Sequence, residues 1–196
     1  MYQVIGTPRS RTLRVLWMLE ELDVPYEHVA ATPHSGDVKA KNPAGKIPVL
    51  IDQGCALTDS TAIIQYLADK HGAFTYPAGT LERARQDGLT QMLLDEFDAA
   101  LWVAARHQMI LPEDLRQGGI RKAVTWELAR SEKRLADRLG DGPFLMGNKM
   151  TVPDIILTHC GGWALSAKLP LSDTRLKRYF RRMRDRPAYQ RALALA

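Results

Sequence analysis

After residue 80 the sequence carries only helical patterns, and this one-sided change limits the available folds more than any other feature. Before it, short β-branched and aromatic runs alternate with helical spacing. Tyr2-Gln3-Val4-Ile5 reads as a strand broken by Gly6-Thr7-Pro8. Residues 10–22 place Leu13 and Leu16 on successive helical turns with Val15, Met18 and Leu22 beside them, and Asp23-Val24-Pro25 closes that helix. Residues 26–30, 48–52 and 55–57 read as three further strands, the last two joined by a tight turn at Gln53-Gly54. Residues 31–47 read as loop with one helical turn near 36–40. A helix over 59–70 ends at His71-Gly72, a basic last turn followed by a C-cap glycine.

Pro77 and Gly79 mark residues 73–80 as a linker, and helices follow over 81–110, 120–139, 151–167, 173–184 and 187–195. The expected fold class is therefore α/β followed by all-α: a small domain over 1–72, the linker, and a helical domain over 81–196. A chain of 196 residues accommodates two such domains. With 45% hydrophobic and 25% charged residues it can fill a core in each, which excludes a disordered chain.

The same numbers restrict the partners. A net charge of +5 is too small to argue for nucleic acid without a basic stripe. The arginines at 178, 181, 182, 184 and 186 lack an interleaved stacking pattern and read as a solvated helix face. Two cysteines fit a reducing compartment better than a disulfide framework. No apolar run approaches the length of a membrane span, and the first residues lack the apolar core of a signal peptide. The expectation is a cytoplasmic protein with neither membrane nor nucleic-acid partner. The five histidines are scattered, so no metal site is expected.

Three short motifs carry the functional argument. In Asn42-Pro-Ala-Gly-Lys46-Ile47-Pro48-Val-Leu50, a proline stands where a strand begins pairing, a position its missing N–H makes unfavourable. By base rate such a proline is trans; a cis Ile47–Pro48 bond would instead present the Ile47 backbone to an extended ligand. In Leu57-Thr58-Asp59-Ser60, Thr58 or Asp59 serves as N-cap, and a hydroxyl at a helix N-terminus favours anions. In Thr151-Val-Pro-Asp154 the spacing is that of a capping box, with Met150 and Ile155 as the hydrophobic staple and Pro153 in the first turn.

Taken in order, these motifs resemble those of the cytosolic glutathione transferases, and the resemblance covers essentially the whole chain. It is reinforced by Ser10-Arg11-Thr12-Leu13-Arg14-Val15-Leu16-Trp17, which resembles the Ser-Arg-Ser/Thr-x-Arg-Val-Leu-Trp run of bacterial and fungal members. The resemblance implies a thioredoxin-like N-terminal domain, a helical-bundle C-terminal domain and a homodimer. It implies glutathione as co-substrate, with no metal, and a cis Ile47–Pro48 bond in place of the trans form that base rate alone favours. Ser10, with Arg9 or Arg11 assisting electrostatically, would activate the thiol; Thr7 and Thr12 are the alternative hydroxyls. Lys46, Ile47, Pro48, Asp59 and Ser60 would hold glutathione, and Trp102, Arg106 and Met109 would line the pocket of a small hydrophobic electrophile. The implied activity is conjugation of glutathione to such electrophiles, reduction of organic hydroperoxides, or both. The alternative is a non-catalytic ligand-binding or interaction scaffold on the same fold.

Overall fold

A computed structural model describes all 196 residues. Four strands, β1 (Tyr2–Ile5), β2 (Tyr26–Val29), β3 (Val49–Asp52) and β4 (Cys55–Thr58), form one mixed sheet in the order β2-β1-β3-β4. β1 runs parallel to β2 and antiparallel to β3, and β4 returns antiparallel to β3 with Asp52 opposite Cys55. The β1–β2 connection is α1 (Thr12–Leu22); a short α2 (Gly36–Lys39) precedes β3, and α3 (Ser60–His71) follows β4. This is the thioredoxin-like arrangement of the N-terminal region.

Apolar spacing explains the layers. Leu13, Val15, Leu16, Trp17, Met18 and Leu19 bury nearly the whole first part of α1, which packs against α3 through Ile63, Ile64 and Leu67. Beneath the sheet, Ile5, Val38 and Val49 form a small core on which the Ile47 side chain also rests. α1 starts at Thr12 rather than at residue 10, because Ser10 is held in the turn that precedes it. β3 starts at Val49, after the proline, which has no N–H to give the ladder. The Ile47–Pro48 bond is cis, as the family resemblance implies, and not the trans form that base rate alone favours.

The remaining elements are helical: α4 (Leu81–Leu93), α5 (Ala99–Ala105), α6 (Ile120–Leu139), α7 (Val152–Ser166), α8 (Thr174–Arg184) and α9 (Pro187–Leu193). The single helix expected over 81–110 is interrupted by two π-helical turns, Leu94–Asp98 and Arg106–Ile110, closed by bonds from Ala99 N–H to Leu94 O and from Leu111 N–H to Arg106 O. Each adds one residue to a turn, a change that apolar periodicity does not register.

Packing divides the chain into two units, residues 1–77 with 184–196, and residues 78–183. The last helix, which composition places with the helical region, thus groups with the sheet. Tyr189 meets Trp17 edge-to-face at 5.0 Å, Arg186 pairs with Glu21 at 2.5 and 2.7 Å, and Arg191 pairs with Glu20 at 2.5 Å. In the second unit, α7 is the central helix, buried from Val152 to Thr158 and started by the capping box.

Candidate functional site

The β1–α1 turn is built around Gly6. Its φ of 147° is open to glycine, and a Cβ there would lie 2.3 Å from Thr12 Oγ1 and 3.1 Å from Ile47 Cβ. Gly6 is therefore what lets the head of α1 sit beside the segment that enters β3. Its N–H donates to Val29 O at 3.0 Å, and its carbonyl lies 2.8 Å from His28 Nε2.

The hydroxyls in this turn are not equivalent. Ser10 donates to Thr7 O at 2.7 Å, accepts from Thr12 N–H at 3.1 Å, and lies 2.9 Å from Thr12 Oγ1. Its hydrogen is thus committed to the backbone. Thr7 Oγ1 accepts from Arg9 N–H at 3.4 Å and donates to nothing within the fold. Thr12 is fully buried, Thr7, Ser10 and Arg11 are half-buried, and Arg9 is exposed.

The cis-proline segment hangs from Asn42. Its Nδ2 donates to Lys46 O at 2.8 Å and its Oδ1 accepts from Ala44 N–H at 3.2 Å. Lys46 is exposed, Ile47 half-buried and Pro48 buried. Neither the N–H nor the C=O of Ile47 is paired within the fold, although its side chain is anchored in the core.

At the start of α3, Asp59 is the N-cap. With φ at 68° its Oδ1 accepts from Thr61 N–H at 2.9 Å and Ala62 N–H at 3.0 Å. Its other oxygen makes no bond within the fold. The Ser60 N–H has no partner in the fold, and the Ser60 hydroxyl, only 2% exposed, accepts from Arg14 Nη1 at 3.3 Å. The helix end therefore offers an N–H and an O–H, backed by a buried guanidinium, next to a carboxylate oxygen. That set matches the carboxylate and ammonium of an amino-acid terminus.

The structure thus brings Ser10 and Ile47 to one place through Gly6 and Thr12, and ties Ser60 to the same α1 through Arg14. Trp102, Arg106 and Met109 belong to the second unit. There the half-buried Trp102 ring stands 6.5 Å from that of Trp163, Arg106 is exposed, and Met109 is 64% exposed. No group of three or more His, Cys, Asp or Glu side chains is arranged to hold a metal ion, and no helix is long and apolar enough to cross a membrane.

Residues 4–75 match the family model for the glutathione S-transferase N-terminal domain. Glutathione S-transferase-like protein tpcF of Aspergillus fumigatus is 30% identical over 173 residues, which cover 78% of this chain and 74% of that relative. The chain belongs to the glutathione S-transferase family. Glutathione S-transferase 3 of Schizosaccharomyces pombe is 37% identical over 73 residues, 35% of this chain and only 30% of that protein. Among solved structures, a sphingomonad glutathione S-transferase complexed with glutathione superposes with a TM-score of 0.84 at 25% identity, over 98% of this chain and 97% of that one.

In the sequence Gly6 reads only as part of a strand break, and Arg14 and Asn42 only as members of longer motifs, with no site role of their own. Arg14 did leave a signal, as a charged residue between Leu13 and Val15 on a helix otherwise apolar along that stretch. Such a residue is buried only if something polar waits for it. Gly6 and Asn42 carried no comparable mark.

Proposed function

We propose that the protein is a glutathione transferase that joins glutathione to small hydrophobic electrophiles, reduces organic hydroperoxides with it, or both. The unpaired backbone of Ile47, next to the head of α1, carries this reading. An extended cysteinyl residue can pair with that N–H and C=O as a strand adds to an edge. Pro48 holds the segment, Asp59 and Ser60 receive the γ-glutamyl end, and Lys46 reaches the glycine carboxylate. Bound this way, the thiol lies at the β1–α1 turn. A hydroxyl donating to sulfur, with Arg9 and Arg11 nearby, favours the thiolate, which is the attacking form. The thiolate then displaces a leaving group such as chloride from the electrophile, and a thioether forms. Trp102, Arg106 and Met109 are assigned to the electrophile side. The reading extends to a cytoplasmic homodimer with a role in detoxification, as the family resemblance implies.

The commitment of the Ser10 hydrogen to Thr7 O favours a second reading, a scaffold that binds glutathione without turning it over. Retention on immobilised glutathione, followed by assays with a chloronitrobenzene and with cumene hydroperoxide, separates the two. Retention with turnover of either substrate is the expected result. Retention without turnover supports the scaffold, and no retention removes both readings.

A further inference from the structure

Asn42 uses all four of its hydrogen-bonding groups inside one loop. Its N–H donates to Val38 O at 2.7 Å and its C=O accepts from Gly45 N–H at 2.8 Å. Its side chain accepts from Ala44 N–H at 3.2 Å and donates to Lys46 O at 2.8 Å. Because one partner is a donor and the other an acceptor, a single orientation of the amide satisfies both. Val38 is fully buried in the core under the sheet, so Asn42 links that core to the carbonyl of Lys46.

That carbonyl belongs to the same planar peptide group as the Ile47 N–H. In a trans peptide the C=O and N–H point in opposite directions, so holding one aims the other. The Ile47 side chain, resting on Ile5, Val38 and Val49, fixes the second end of the unit. We infer that Asn42 is a positioning residue for the ligand: by gripping Lys46 O it aims the unpaired Ile47 N–H at an extended peptide. The inference rests on the glutathione reading and adds to it the group that sets the donor's direction.

Titration calorimetry with glutathione and with S-methylglutathione tests this on the full chain, comparing wild type, Asn42→Ala and Asn42→Asp. The aspartate keeps the acceptor for Ala44 N–H but loses the donor to Lys46 O, which preserves most of the loop. Both variants should bind both ligands roughly tenfold more weakly, at a stoichiometry near that of wild type, with the pKa of the bound thiol unchanged. A purely structural role would instead reduce the fraction of binding-competent protein and leave the dissociation constant of the rest unaltered, which would overturn the inference. Wild-type affinity in both variants would overturn it too. Absence of binding by wild type itself would bring down the glutathione reading and this inference with it.

Discussion

Arg14 Nη1 donates to Ser60 Oγ across 3.3 Å from a side chain that is 1% exposed. A guanidinium so deeply buried binds the first turn of α1 to the first turn of α3, the two helices that frame the candidate site. Hydrogen bonds from charged groups contribute more than neutral ones, about 1.5–3 kcal/mol. Arg14→Met should therefore lower stability by about 2 kcal/mol in denaturant unfolding and weaken glutathione binding. In a double-mutant cycle with Ser60→Ala, a coupling of about 1 kcal/mol is expected. Strictly additive effects would mean that the two side chains act independently.

How far the fold could be read from the sequence follows from the range of the interactions involved. β1 and α6 end where alternation and helical spacing end them, and the cap at Asp59 is written in its own neighbours. The placement of α9 is different, since Arg186–Glu21 and Arg191–Glu20 join residues 165 and 171 positions apart, and no local pattern announces such pairs. The site divides the same way. Ile47, Pro48, Asp59 and Ser60 lie in motifs of a few residues. Gly6 matters because Thr12 and Ile47 converge on it, which only the folded chain reveals.

Gly6 is the next test. A methyl group there would meet Thr12 Oγ1 at 2.3 Å and Ile47 Cβ at 3.1 Å, in a backbone conformation that L-residues avoid. Gly6→Ala should cost about 1–3 kcal/mol, as overpacked sites do. It should also weaken glutathione binding, because either α1 or the Ile47 segment has to move. Wild-type affinity in a soluble, folded variant would show that the contact does not shape the site.

Asp52, at the end of β3, accepts hydrogen bonds from Lys70 and, at 2.6 Å, from Tyr66. The Lys70 bond first, then the Tyr66 bond, hold its carboxyl below the ordinary carboxylate range. A carboxyl depressed in the folded state contributes stability above its unfolded pKa, and that contribution is lost as pH falls through the folded value. Asp52→Asn should thus melt below wild type at neutral pH, and the gap should close on acidification below about pH 4. A gap that persists undiminished in acid would exclude the charge as its source.

In the helical unit, Asp154 accepts from Leu145 N–H at 2.9 Å, Thr151 N–H at 2.8 Å and Tyr179 O–H at 2.8 Å while fully buried. Asp154→Ala leaves these buried donors without their acceptor and should cost about 3 kcal/mol or more in unfolding free energy. Thr151→Ala, which removes only the hydroxyl half of the cap, should cost about 1 kcal/mol. Equal losses in the two would show that the cap, rather than the tie to Leu145 and Tyr179, dominates.

The two hydroxyls of the β1–α1 turn give opposite expectations. Ser10 spends its hydrogen on Thr7 O and receives Thr12 N–H, so Ser10→Ala should loosen the turn and cost about 1 kcal/mol of stability. Thr7 has its hydroxyl hydrogen uncommitted at the same turn. If a hydroxyl donor lowers the thiol pKa of bound glutathione from about 8.5, Thr7→Val should raise it by about one unit or more, while Ser10→Ala should move it less. Thiolate absorbance in the ultraviolet, followed against pH with glutathione bound, measures both variants. A larger rise in Ser10→Ala would assign the sulfur hydrogen bond to Ser10 and require its hydrogen to leave Thr7 O when the ligand binds.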